Sequence, residues 1–236
     1  MEKEKVLVTI PAYNEERAIG RLVREIKDCY PQFHIAVIND GSPDNTAQEA
    51  ESAGGSVFSL PFNLGIGGAV QTGYQIALEG GYDCMVQIDG DYQHDPKYIM
   101  AIIAPILSGE LDLCIGSRFL SPDARFYRST FLRRVGIRFF AILLGWLTGI
   151  HITDPTSGFR ATGPKLIRRF AAYYPMDFPE PEAIQIAKRY GAKIGEAPVQ
   201  MRKRLGGRSS IRYLITLYYM IKVTFAILID TLKRKE

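Results

Sequence analysis

A chain of 236 residues can bury a full core, and its 47% hydrophobic and 23% charged residues exclude extended disorder. A formal charge of +4 suits an anionic substrate or a membrane face and is too small to point to nucleic acid. Cys29, Cys84 and Cys114 are isolated, with no CxxC pair, which excludes a disulfide framework and suits a reduced, cytoplasmic setting.

Met1–Lys5 is charged and leads directly into the first strand pattern, Val6–Ile10, so no secretory leader is expected. Ile19, Leu22, Val23 and Ile26 then recur at helical spacing. Ile35–Ile38 reads as the next strand, with a helix from Thr46; Ser56–Leu60, Cys84–Ile88 and Leu113–Gly116 read as further strands. Gly68–Leu78 and Pro96–Leu107 supply helices between them. This alternation predicts an α/β fold, a mostly parallel, Rossmann-like sheet with helices on both faces.

Beyond residue 120 the pattern changes. Phe126–Ile150 mixes Arg128, Arg133, Arg134 and Arg138 with Phe, Ile, Leu and Trp146. Tyr213–Leu232 is nearly all apolar but carries Lys222 and Asp230. A spanning helix needs roughly 20 apolar residues, and a central Lys costs about 2.5–3.5 kcal/mol. The expectation is therefore a catalytic domain over 1–211 and an amphipathic helix over 212–236 that lies on a membrane surface or against a partner. The plainer alternative makes both segments core helices.

The strongest local signal is Val86-Gln87-Ile88-Asp89-Gly90-Asp91-Tyr92-Gln93-His94. An apolar strand ends in two carboxylates separated by Gly90, and open α/β sheets bind ligands at the carboxyl ends of their strands. Both acids are ionised at neutral pH and repel one another unless a cation joins them. Oxygen donors suit Mg2+ or Mn2+, with Gln93 as a further ligand and His94 as another candidate. A lone Asp-x-Asp also occurs in ordinary turns, so the neighbouring loops matter. Pro11-Ala12-Tyr13-Asn14-Glu15 follows the first strand, Asp40-Gly41-Ser42 the second, and Asn63-Leu64-Gly65-Ile66-Gly67 the third. Each alone reads as a helix cap with turn residues; in succession at strand ends they outline a binding rim.

The strings IPAYNEE, VINDGSPDNT, NLGIGGAVQTG, QIDGDYQHDP, GSRF and TDPTSGFRA resemble glycosyltransferase family 2, which has the GT-A fold. The resemblance is greatest to its dolichol-phosphate-mannose-synthase-like branch and extends from about Val6 to Ile211. It implies transfer of a sugar, with inversion, from a UDP- or GDP-linked donor to a polyprenyl phosphate, in cell-envelope glycan or glycoconjugate synthesis. It implies that Pro11, Ala12, Tyr13, Asn14, Glu15, Asp40, Gly41, Ser42, Gly67 and Gly90 line the donor pocket. Asp89, Asp91 and Gln93 would hold the metal, and Arg118 and Arg204 would face the phosphates. Ser157, Gly158, Phe159 and Arg160 would close the acceptor side, with Arg133 and Arg134 positioning a phosphate acceptor. The implied setting is peripheral, at the inner face of the membrane, with room for a small integral-membrane partner.

Two features depart from the family pattern. The usual acidic pair before the late helix is replaced by Asp177-Phe178-Pro179-Glu180-Pro181-Glu182, which leaves Glu180 and Glu182 as alternative bases. The longer C-terminal membrane region of some relatives is not expected from the single apolar stretch Tyr213–Leu232. A phosphate acceptor, with a second pKa near 6, needs cationic positioning more than a base. A soluble glycan or protein hydroxyl would need Glu180 or Glu182. A non-catalytic nucleotide-sugar-binding subunit is the competing class, and the paired acids argue against it. No Gln-x-x-Arg-Trp surrounds Trp146, which argues against a processive synthase, and no GxGxxG follows the first strand, which argues against a dinucleotide oxidoreductase.

Overall fold

Strand β1 (Val6–Ala12) is buried along its whole length, as a strand must be when helices cover both faces of a parallel sheet. In the computed structural model, residues 4–120, 131–177, 179–203, 205 and 213–232 are described, with backbone only at 131–133, 213–219 and 232. β2 (His34–Asn39) and β3 (Ser56–Ser59) extend the sheet on one side of β1, and β4 (Cys84–Gln87) on the other, all parallel. β5 (Leu113–Ser117), β6 (Arg160–Thr162) and β7 (Ile194–Pro198) complete it. Among the described residues the order is β3-β2-β1-β4-β6-β5-β7. β6 runs antiparallel to both neighbours.

Alternation along β1 divides the core. Val6, Val8, Ile10 and Ala12 face α1 (Ile19–Cys29), α2 (Thr46–Ser52) and α4 (Ile99–Leu107). Leu7 joins the opposite cluster, built on α3 (Gly65–Glu79), α5 (Phe131–Thr148), α6 (Pro164–Ala172), α7 (Pro179–Arg189) and α8 (Tyr213–Leu232). The result is the expected three-layer α/β/α arrangement. Each strand expected from an apolar run is present. β6 and β7 were not foreseen, because Arg-Ala-Thr and Ile-Gly-Glu-Ala-Pro carry no apolar run.

The late helices each bury one face and expose the other. α8 packs on α7 through Val223 and Ile227, and Asp230 pairs with Arg189 at 3.4 Å; Lys222 bonds Asp177. Its opposite face exposes Ile221, Phe225, Leu228 and Ile229. α5 likewise buries Ile137, Phe140 and Leu144 and exposes Val135, Phe139, Ile142 and Trp146. Gly136 of α5 lies beside Met220 of α8, which brings the two helices together. No helix among the described residues is long and apolar enough to cross a membrane.

Candidate active site

The strand order reverses between β1 and β4, so the loops after these two strands diverge and leave a crevice at the carboxyl edge. Because β6 is antiparallel, the segment before it, 153–159, reaches that same edge. Arg160 stands in register with Gln87, the last residue of β4, and with Ile115 of β5. One reversed strand thus delivers the Asp154-Pro155-Thr156-Ser157-Gly158 loop onto the end of β4.

Asp89 lies just past β4 with its side chain 39% exposed. Its N–H donates to Nδ1 of His94 at 3.1 Å. His94 is 3% exposed and stacks on Phe159 at 5.1 Å. It therefore braces the loop from behind, and its Nδ1, as an acceptor, is engaged with backbone. Gly158 covers Asp89 closely: a methyl group there would stand 2.7 and 3.0 Å from the two carboxylate oxygens and 3.1 Å from the Gln87 amide nitrogen. A methyl on Gly90 would meet the Pro11 carbonyl at 3.2 Å, so the β4 loop rests on the end of β1. Asp91 Oδ1 accepts the Gln93 N–H at 2.9 Å.

No group of three or more His, Cys, Asp or Glu among the described residues is assembled as a cation cage. Asp89 meets no Lys or Arg there either; the Nδ1 of His94 stands 3.7 Å from its carboxylate. A half-exposed anionic oxygen donor without a cationic partner fits a hard divalent ion that takes its remaining ligands from substrate phosphates and water. Gln87 adds a buried amide whose nitrogen and oxygen have no hydrogen-bond partner among the described residues.

The loops after β1 and β2 are joined by short side chains. The Asn14 N–H donates to Ser42 Oγ at 3.1 Å, and the Glu15 N–H to Thr46 Oγ1 at 2.9 Å. Asn14 adopts φ +57° and Gly41 φ +67°, and a Cβ on Gly41 would meet the Asn63 nitrogen at 2.9 Å. Tyr13 is 47% exposed at the end of β1, free to stack on a planar group. Pro11, Ala12 and Glu15 are buried beneath it. Two expected pocket residues also fix neighbouring backbone. Asp40 accepts the Leu64 and Gly65 N–H groups at 2.7 and 3.0 Å, holding the start of α3. Gly67 donates to the Met176 carbonyl at 3.1 Å and lies against Pro175 and Met176, where a side chain has no room.

The acceptor side rests on buried charge. Arg118, expected to face phosphates, is 4% exposed and grips Asp154 with Nε and Nη2, each at 2.5 Å. Its Nη2 also donates to Thr156 at 3.0 Å. Glu196 of β7 accepts the Thr153 and Asp154 N–H groups at 2.7 and 2.8 Å. Arg160, expected at the acceptor, is fully buried and donates to the carbonyls of Ser157 and Glu180. Both arginines thus build the loop rather than line its surface. Ser157 and Phe159 are buried with them, and the Phe159 N–H donates to Ser157 Oγ at 3.3 Å.

The two candidate bases separate. Pro179 and Pro181 fall in the first turn of α7, where a missing N–H is tolerated. Glu180 is partly buried, and desolvation raises its pKa; Arg160 opposes the shift, while the charge of Asp89 adds to it and that of Arg118 opposes it. Glu182 instead lies toward Tyr173, whose pKa, raised first by burial, it raises further. Of the two, Glu180 is the one that feels the charge of Asp89. Arg134 is exposed on α5; the Arg133 side chain and Arg204 lie outside the described residues. Asp154 and Glu196 were given no role from sequence. An acid inside a glycine-serine motif, and another inside a short strand, were the available signals.

Architecture and rim together define a GT-A glycosyltransferase fold. Glucosyl-3-phosphoglycerate synthase from Mycobacterium tuberculosis, solved with Mn2+, uridine-diphosphate and phosphoglyceric acid, superposes with a TM-score of 0.72 at 22% identity, covering 99% of this chain and 80% of that one. The chain belongs to glycosyl transferase family 2, whose profile matches residues 7–173, and is accordingly a glycosyltransferase. It is 32% identical over 222 residues to UDP-N-acetylglucosamine–dolichyl-phosphate N-acetylglucosaminyltransferase of Methanococcus voltae, covering 85% of this chain and 86% of the relative. It is 31% identical over 164 residues to polyprenol monophosphomannose synthase of Mycolicibacterium smegmatis, covering 67% and 61% respectively.

Proposed function

We propose that this glycosyltransferase moves a sugar from a nucleoside-diphosphate donor to a polyprenyl phosphate, with inversion at the anomeric carbon. Asp89 and Asp91 would hold Mg2+ or Mn2+, with Gln93 as a further oxygen donor. The observation that carries this reading is the half-exposed carboxylate of Asp89 at the β1/β4 crevice, closed over by Gly158. When bound, the cation supplies neutralisation of the charge that develops on the departing diphosphate. Tyr13, Asn14 and Ser42 form the nucleoside side of the crevice. Asp40 and Gly67 act there indirectly, by fixing the start of α3 and its contact with the 175–176 segment. Arg118 and Asp154 hold the acceptor loop rigid, which keeps the reacting groups aligned. Arg204 is assigned to the diphosphate and Arg133 to the acceptor phosphate on sequence grounds alone.

The polyprenyl-phosphate relatives support the lipid acceptor. So do the exposed apolar faces of α5 and α8, flanked by exposed Arg134 and Arg138. An apolar stripe beside arginines is what an interfacial helix presents to an anionic bilayer. We place the enzyme at the inner face of the membrane on this basis; a small integral-membrane partner would use the same stripes. A hydroxyl acceptor is the second reading, favoured by Glu180, whose raised pKa suits a general base.

The test is incubation with radiolabelled UDP- and GDP-sugars and Mn2+, with and without polyprenyl phosphate, followed by organic extraction. Label in the lipid phase that depends on both lipid and metal is expected. Label that enters only a soluble glycan or protein would move the assignment to the second reading, and lipid labelling that persists in EDTA would remove the metal from it.

A further inference from the structure

Immediately after Asp91 the backbone reverses in an unfavourable conformation. Tyr92 has φ +66°, a left-handed geometry that costs a bulky residue about 1–2 kcal/mol. The reversal lets Asp91 Oδ1 accept the Gln93 N–H across Tyr92, so relaxing Tyr92 would break that bond and turn the carboxylate. Something outside the loop must hold it.

The tyrosine ring is 6% exposed and lies under two guanidinium groups. Arg21 lies 4.9 Å and Arg202 4.8 Å from its centroid. The Tyr92 hydroxyl donates to Glu25 of α1. Glu25 accepts both arms of Arg202, at 2.8 and 2.6 Å, and Arg202 adds a bond of 2.8 Å to Asp95. The contact is also a backbone one. The Arg202 N–H donates to the Gln93 carbonyl at 2.8 Å, and Met201 bridges antiparallel to His94. Arg202 thus holds the 91–95 loop through its main chain, its bond to Asp95 and its cationic face, while its fork grips Glu25 of α1. A lysine could supply the charge but not the fork or the stack.

We propose that Arg202 is a positioning residue for the cation site: with Glu25 and Tyr92 it holds the reversal between Asp91 and Gln93 and ties to it the segment that leads on to residue 204. The proposal rests on the metal reading above. It makes α1, which contributes nothing to the crevice itself, the support of the metal loop. Partners that orient metal ligands from behind commonly change metal affinity by about 10–100-fold when removed.

The test is Mn2+ binding to the full-length protein by electron paramagnetic resonance, with UDP and in parallel with GDP, alongside thermal unfolding. Arg202→Ala and Glu25→Gln should each weaken Mn2+ binding by about tenfold or more well below their melting temperatures. Arg202→Lys should fall between, and the double variant should be no worse than the single ones, since both remove one clamp. Tyr92→Phe, which keeps the ring and loses only the bond to Glu25, gives the same readout with a smaller loss should Arg202→Ala fail to fold. Asp91→Asn is the control. If it loses Mn2+ while the clamp variants bind within about twofold of the parent protein, the clamp only stabilises the fold and the proposal is overturned. If Asp91→Asn also binds as the parent does, the metal reading itself fails, and the proposal with it.

Discussion

The donor and acceptor halves of the crevice are built by different means. On the donor side, the loops after β1 and β2 are held by backbone N–H groups donating to Ser42, Thr46 and Asp40, and by glycines too close to neighbours for a side chain. On the acceptor side, charged side chains are buried within the loop: Arg118 pairs with Asp154, Arg160 donates to the carbonyls of Ser157 and Glu180, and Glu196 accepts from Thr153. Small polar contacts leave the aspartates turned to solvent, where a cation and phosphates can reach them. Buried charge makes a rigid wall whose members are costly to remove singly, because each leaves a partner stranded. The donor half should therefore lose activity before stability, and the acceptor half stability along with activity.

Arg118→Ala is the harshest test of this contrast. It strands Asp154, which is wholly buried, and such losses cost about 3–5 kcal/mol. The melting temperature should fall on the order of 10 °C in thermal unfolding; a surface-like drop of a degree or two would erase the distinction between the halves. Gly158→Ala sharpens it from the seam. A methyl standing 2.7 Å from an Asp89 oxygen must displace that carboxylate, so transfer should slow by roughly 100-fold while the fold melts close to the parent. Steady-state kinetics on the purified variant decide this.

A milder effect is expected on the helices beyond the rim. Trp146→Ser and Phe225→Ser each remove an exposed ring, 79% and 61% exposed. Each should weaken sedimentation with anionic vesicles by roughly tenfold, with transfer to a short soluble acceptor unchanged. The smallest effect falls on Glu180. Desolvation raises its pKa, so its contribution to stability is complete below the ordinary glutamate value and is lost as pH rises through the raised one. Glu180→Gln should then gain a few degrees over the parent at pH 8 and nothing at pH 4. With a phosphate acceptor its rate should stay within about threefold; a hydroxyl acceptor would lose about 100-fold or more.

The donor half was largely legible because its chemistry is local in sequence. Apolar strands stop at Ala12, Asn39 and Gln87, and short polar loops follow at once. What sequence could not show was which way those side chains turn. Asp40 and Gly67 read as pocket residues, yet both hold α3 in place, and only the spatial approach of 63–65 and 175–176 reveals it. On the acceptor half, Arg118 read as a phosphate binder because a lone arginine gives no sign of a buried acid 36 residues away, and Arg160 read as closing the acceptor side because nothing in the sequence shows it turning inward to the Ser157 and Glu180 carbonyls. β6 escaped because three residues between two longer strands need no apolar pattern of their own when neighbours bury them on both sides. The Arg202 clamp was equally invisible, since Glu25, Tyr92 and Arg202 lie on three distant segments.

The central claim is that the acids after β4 act through a divalent ion, and the metal dependence of transfer in Asp91→Asn tests it most directly. Initial rates of sugar transfer would be followed against Mn2+ concentration in the parent and the variant. The account predicts a loss of about 1,000-fold or more in the variant at every metal concentration, with an unchanged melting temperature. A variant that transfers sugar at the parent rate, with the same metal dependence, would contradict it.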